Sequence, residues 1–137
     1  MTMPFAGVSY LAIIVAAFAS FIFGAVWYVL LGARWQAALG KSEAEIQAAA
    51  SPVPFVATGV GLIIMAWMLA GILGHLGMVD VWHGIGTAVF LWVGFIATTM
   101  TVNHRFQGLP WSFTFIDGGY WLGAILIQGA IIGAFGV

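Results

Sequence analysis

Charge is what this chain has least of: among 137 residues only four are Asp or Glu and three are Lys or Arg. A soluble domain carries roughly a quarter charged residues, so 5% cannot cover a wetted surface. Cysteine is missing altogether, which excludes disulfides, thiolate metal sites and cysteine nucleophiles. Three scattered basic residues exclude a nucleic-acid partner, which needs clustered Lys and Arg. They also exclude a polybasic segment recruited to anionic lipid. Also missing are a G-x-x-x-x-G-K-[ST] loop, an H-E-x-x-H pair, a Rossmann glycine pattern and any nucleophile motif. No catalytic residue, cofactor or metal is therefore expected, and the chain is not expected to be an enzyme.

What is present is apolar. Hydrophobic residues make up 64% of the chain, and the mean hydropathy is +1.14. The expected class is an all-α integral membrane protein, with the lipid bilayer as its first partner. A helix needs about 20 apolar residues to cross the bilayer, so a single transmembrane domain over 1–137 has room for about four spans. They are expected at about 7–31, 54–78, 81–103 and 115–137, as a four-helix bundle of two hairpins. The first apolar run is too long for a signal-peptide core of about 7–15 residues, and no basic residue precedes it. It reads as an anchor. No segment is long enough to form a soluble domain, so partners are expected in the bilayer or at its face.

Between the first two spans lies the one frankly polar stretch, Gly40 to Pro54. Ser42 followed by Glu45 fits a capping box. Glu43 and Glu45 fall where the helix dipole favours carboxylates, and a residue before proline avoids the α region. A short surface helix over about 42–50 follows. His75, Asp80 and His83 cluster in the next turn. They are metal-ligand types, but their spacing places no ligand set on one helix face, and a hydrated turn is expected.

Small residues recur at helical spacing. Ala12, Ala16, Ser20 and Gly24 form one stripe on the first span, and Gly119-x-x-x-Gly123 and Gly129-x-x-x-Gly133 form others on the fourth. In lipid such stripes let helices approach closely. They are expected to pack the bundle, or else to form a homo-oligomer seam. Gln128 sits mid-span and needs a partner on another helix, because an unsatisfied polar group in hydrocarbon costs several kcal/mol. Trp27, Tyr28 and Trp35 are expected at the membrane–water boundary as an aromatic belt.

Residues with chemical potential gather around the return turn Gly108-Leu109-Pro110: Asn103, His104, Arg105, Asp117 and Tyr120. A carboxylate early in the fourth span and two basic side chains at the end of the third suit the helix dipoles. Asp117 is expected to pair with Arg105 or His104 across the turn as a latch. The alternative is that ionisable groups at membrane depth mark a route for ions or substrate. Arg34 and Lys41 follow the first span and Arg105 the third, so the Lys/Arg bias predicts cytoplasmic basic loops and both termini outside.

Two patterns carry a family resemblance. Phe23-Gly24-Ala25-Val26-Trp27-Tyr28, then Gly32, Trp35 and Leu39-Gly40, form the first. The second is Trp92-x-Gly94-Phe95 through Asn103, then Phe106-x-Gly108 and Ile116-Asp117-x-Gly119-Tyr120. Together the chain resembles domain-of-unknown-function family 1761 over nearly its whole length. The family often has a proline after Trp-Tyr and a lysine before the next tryptophan, where this chain has Val29-Leu30-Leu31 and Arg34. The resemblance implies a small four-span protein of the bacterial inner membrane, and no mechanism comes with it. The expected function is a non-enzymatic component that self-associates, or joins a larger membrane complex, through its small-residue stripes. The alternative is a small oligomeric transporter or channel using Asn103, His104 and Asp117.

Overall fold

The structure is a computed structural model that describes Phe5 and residues 7–136. Helix α1 (Tyr10–Leu39) is capped by Ser9, whose hydroxyl accepts from the Ala12 N–H at 3.1 Å. It runs about eight residues past the expected end, through Gly32 and Trp35, until Gly40 turns left-handed at φ 77°. The surface helix α2 (Glu43–Ala48) has the expected capping box, with Glu45 N–H donating to Ser42 Oγ at 3.1 Å. Helix α3 (Val53–Leu76) ends at a left-handed Gly77.

The third span, Val81–Phe106, is not one regular helix. It consists of α4 (Val81–Leu91), a π-helical segment Trp92–Ala97, and α5 (Thr98–Phe106). A π turn holds an extra residue, which rotates the residues beyond it back by about one step, ~100°. Gly84, Ala88, Trp92, Ile96, Met100 and His104 can then all lean inward at four-residue spacing, which a straight α-helix would carry around its axis. The Thr98 and Thr99 hydroxyls donate to the Gly94 and Phe95 carbonyls at 2.9 and 2.6 Å. Carbonyls in the widened turn and hydroxyls facing lipid thus satisfy each other.

Helix α6 (Trp111–Phe135) starts directly after Pro110, four residues earlier than the sequence suggests. Val137, the expected end of this span, lies outside the described residues. The four apolar helices are each long enough to cross a membrane. Helix α6 is the hub, packing most extensively on α1 and α4 and touching α3 as well.

The small-residue stripes are used inside the chain. Ala12, Ala16 and Ser20 have no exposed surface, and Gly24 is buried. On α6, Gly119 lies under the Trp27 ring and Gly123 under Phe23, while Gly24 lies under Tyr120. Gly129 and Gly133 meet backbone instead: a methyl group on either would strike the carbonyl of Gly84 or of Asp80. This is the contact that small residues permit in lipid, where packing replaces the missing hydrophobic drive. Gly129 and Gly133 are buried as well, while Gly119 and Gly123 are half-buried beneath the rings of α1. Gln128, fully buried, donates to Ser20 Oγ on α1 and to the Leu62 carbonyl on α3, both at 3.1 Å. Three helices meet on one amide.

Candidate functional site

The first half of the sequence signature meets the Ile116–Tyr120 part of the second where α1 and α6 cross. The Trp27 indole N–H donates to the Ile116 carbonyl at 2.9 Å, and the Tyr28 hydroxyl donates to Asp117 Oδ1 at 2.6 Å. Trp35 packs on Phe113 (centroids 5.6 Å apart) and edge-on to Tyr28 at 6.3 Å. Tyr120 sits against Phe23, Tyr28 and Trp121 with its hydroxyl buried and unpaired. The aromatics expected as an interfacial belt also make contacts inside the bundle. Trp27, Tyr28 and Trp35 share a half-buried face of α1 turned toward α6. A buried N–H or O–H on an aromatic ring needs a partner, and α6 supplies a carbonyl and a carboxylate.

The expected Arg105–Asp117 latch is corrected. The one ion pair among the described residues joins His83 to Asp80. Arg105 instead donates to the Leu109 carbonyl at 3.0 Å, the Pro110 carbonyl at 3.2 Å and Thr114 Oγ1 at 2.6 Å. Its guanidinium lies 3.8 Å from the centre of the Trp111 ring. His104 meets the same Thr114 hydroxyl through Nδ1 at 2.9 Å and packs edge-on to Phe113. The turn closes through Gly108 at φ 72°, with Leu109 N–H reaching back to the His104 carbonyl. Because α6 begins at Trp111, Asp117 stands two turns into it, beyond the first turn in which the dipole acts. It is held by Tyr28, with Trp35 and His104 as further polar neighbours. Thr114, which the sequence reading passed over, is the residue that both basic side chains share.

Asn103 belongs to neither cluster. It is exposed on α5, and its amide bonds to no described residue. With Thr99 and Gln107 it lines a shallow open groove of about 370 Å³, whose remaining walls are Phe95, Ile96, Met100 and His104. Thr99, Asn103 and Gln107 are four residues apart, so they form one polar stripe. A smaller crevice of about 240 Å³ lies between the third span and α6, lined by Trp92, Met100, Trp111, Thr114 and Leu122 among others. Trp92 braces it by donating to the Gly118 carbonyl at 3.0 Å.

At the opposite end of the bundle, Asp80 caps α4. It accepts from the His83 backbone N–H at 2.9 Å and contacts the His83 ring at 2.5 Å. The backbone hydrogen bond, and then the ring, hold its carboxyl below the usual carboxylate range. Among the described residues no three His, Asp or Glu side chains stand together as a metal-binding group.

Neither the curated proteins nor the solved structures gave a match. A family model described as a protein of unknown function, DUF1761, matches residues 11–133. Those residues hold most of all four spans and both halves of the signature, and the chain belongs to the DUF1761 family.

Proposed function

We propose that this chain is a non-enzymatic component of a larger membrane assembly, docked through the exposed face of its third span. The observation that carries the reading is a contrast in burial. Only 6% of the third span's apolar window is buried within the chain, against 28, 33 and 44% for the other three. The face left open holds the Asn103 and Gln107 amides, which bond to no described side chain and in lipid favour a protein neighbour over acyl chains. The small-residue stripes face neighbours within the chain, so the reading moves the docking surface to the third span. The carboxylates support a non-enzymatic role. Glu43 and Glu45 stand in the first turn of α2, Asp80 caps α4 and Asp117 holds Tyr28. We place the end carrying Arg34, Lys41 and Arg105 in the cytoplasm of a bacterial inner membrane, following the Lys/Arg bias. Native mass spectrometry of the protein extracted from its own membrane in mild detergent tests the assembly. Masses above 14.5 kDa are expected, and a lone chain across mild detergents would overturn the reading.

A second reading, a small oligomeric transporter, draws on the same groove, where Thr99, Asn103, His104 and Gln107 offer donors and acceptors. Within one chain the polar groups do not continue across the membrane. Beyond the Tyr120 hydroxyl and the Ser20–Gln128 pair, the larger buried cluster is aliphatic. Transport would thus require apposed copies. Flux in proteoliposomes that depends on Asn103 and His104 is the expected sign; flux equal to empty vesicles for protons, metal cations and small amines eliminates it.

A further inference from the structure

The exposed faces of the spans differ in kind. On α1 the outward residues are bulky and aliphatic or aromatic: Ile14, Phe18, Ile22, Val26 and Val29 are each 48–83% exposed. On α3, Val56, Val60, Ile63 and Ile64 do the same. These faces suit acyl chains. The inner half of the third span exposes Val93, Phe95, Val102 and Phe106 as well, but sets among them Gly94, Thr98, Thr99 and Asn103, with Gln107 just beyond its end. Nothing lies within 4 Å of where a Gly94 methyl would sit, so a second backbone has room to approach there. Centring the 26-residue span on a hydrocarbon core about 30 Å thick puts Thr99 inside the core and Asn103 at its edge.

We infer that the occupant of this face is a second copy of the same chain, packed about a two-fold axis along the membrane normal, with the Asn103 amides paired across it. This rests on the docking role proposed above and names the partner. Three observations carry it. An amide is donor and acceptor at once, so Asn103 and Gln107 are each complementary to their own two-fold mates, as an isologous interface requires. The outward residues of α5 (Thr98, Thr99, Val102, Asn103, Phe106 and Gln107) are all uncharged, so self-pairing brings no like charges together. Of the two basic side chains beside the stripe, His104 borders the groove with its Nδ1 on Thr114, and Arg105 is held by Thr114 and Trp111. A foreign subunit would need its own matching polar stripe, whereas a second copy has one by construction.

The absence of cysteine makes a direct test available. Single cysteines are placed at Thr98, Thr99 or Val102, which leave the amides in place, with Val29, 83% exposed on α1, as the control. Native membranes are then oxidised before detergent is added. A product at twice the 14.5 kDa chain mass, several-fold stronger from positions 99 and 102 than from position 29, is the expected result. Asn103→Leu and Asn103→Asp should both shift the native mass toward the single chain. The second should do so more strongly near neutral pH, because it sets two carboxylates face to face. The Asn103 side chain makes no hydrogen bond to a described residue, so thermal unfolding of the monomer should not move with either variant. No self-cross-link, with co-migration of foreign subunits that Asn103→Leu releases, overturns the second copy and leaves the docking role standing. A lone chain with neither cross-link nor companion overturns both.

Discussion

Helix α6 and the third span have nearly the same length, 25 and 26 residues, and cross the same bilayer, yet one is the hub and the other the rim. Of the α6 apolar window 44% is buried, and of the third span's 6%. Hydrophobicity does not separate them, because lipid tails are as apolar as a protein core. Separation comes from where the small residues stand. Gly119, Gly123, Gly129 and Gly133 let α6 take rings from α1 on one side and the backbone of α4 on the other. On the third span Gly84 is used up in that contact, whereas Gly86 and Gly94 meet nothing within 4 Å. The hub is where glycine faces a neighbour, and the rim is where glycine faces open space.

The sharpest way to break this comparison is one chemical change made at both places. Gln128→Glu puts a carboxylate into a fully buried mid-span site, at a cost of about 3 kcal/mol. The loss should shrink as pH falls and the carboxyl takes up a proton. Asn103→Asp makes the same change on the rim and should move monomer stability by no more than about 0.5 kcal/mol. Unfolding from mild detergent by titration with SDS reads both; equal losses would mean that α6 is not the hub.

Next in size is the glycine pair. Gly129→Ala drives a methyl against the Gly84 backbone carbonyl, which cannot swing aside as a side chain would. Overpacking costs about 1–3 kcal/mol, and a backbone clash belongs at the upper end. Gly94→Ala meets nothing, so monomer stability should hold or rise by up to about 1 kcal/mol through helix propensity. The same substitution should weaken the two-copy contact, which separates the two roles of the position.

The four spans and the surface helix with its capping box were legible in the sequence, because bilayer thickness and cap chemistry act on short local stretches. The orientation of side chains was not. An indole at position 27 is satisfied equally by headgroup water or by the Ile116 carbonyl, and composition cannot choose between them. The π-helical segment had no local signature beyond a glycine within an apolar run. Its effect, keeping Trp92 through His104 leaning inward, exists only once α6 is in place. The Arg105–Asp117 latch failed for a countable reason. Starting α6 at Trp111 moves Asp117 a full turn deeper, where Tyr28 reaches it, and leaves Thr114 at the level of Arg105. Thr99, Asn103 and Gln107 were visible at four-residue spacing, but only burial shows that nothing inside the chain covers them.

A smaller effect sharpens the link between α1 and the hub. Hydrogen bonds to charged groups contribute about 1.5–3 kcal/mol, while interhelical ones in membranes average ~0.6 and reach ~1.7. Tyr28→Phe should therefore cost about 1–2 kcal/mol, and Asp117→Leu a similar amount. Combined, the two should cost much less than their sum, since each removes the same bond. Additive losses would show that Tyr28 and Asp117 act separately.

The smallest effect lies at the end where the third span begins. Asp80 caps α4 through the His83 N–H, and that bond lowers its carboxyl pKa in the folded chain. A carboxylate with a lowered folded pKa contributes stability above its ordinary titration range and loses it as pH falls through the folded value. The wild-type chain should thus weaken slightly on the acid side. Asparagine caps as well as aspartate but does not titrate. Asp80→Asn should match the wild type near neutrality and flatten the acid-side decline, while Asp80→Ala should lose the cap at every pH. The change should appear first as fraying of α4, read by amide hydrogen exchange around Val81–Gly84, and only weakly in global unfolding. The rim helix is held by its glycine contact to α6 more than by its cap. If Asp80→Ala instead unfolds the chain globally, the cap and not the Gly84–Gly129 contact anchors the third span, and the hub-and-rim division gives way at that end.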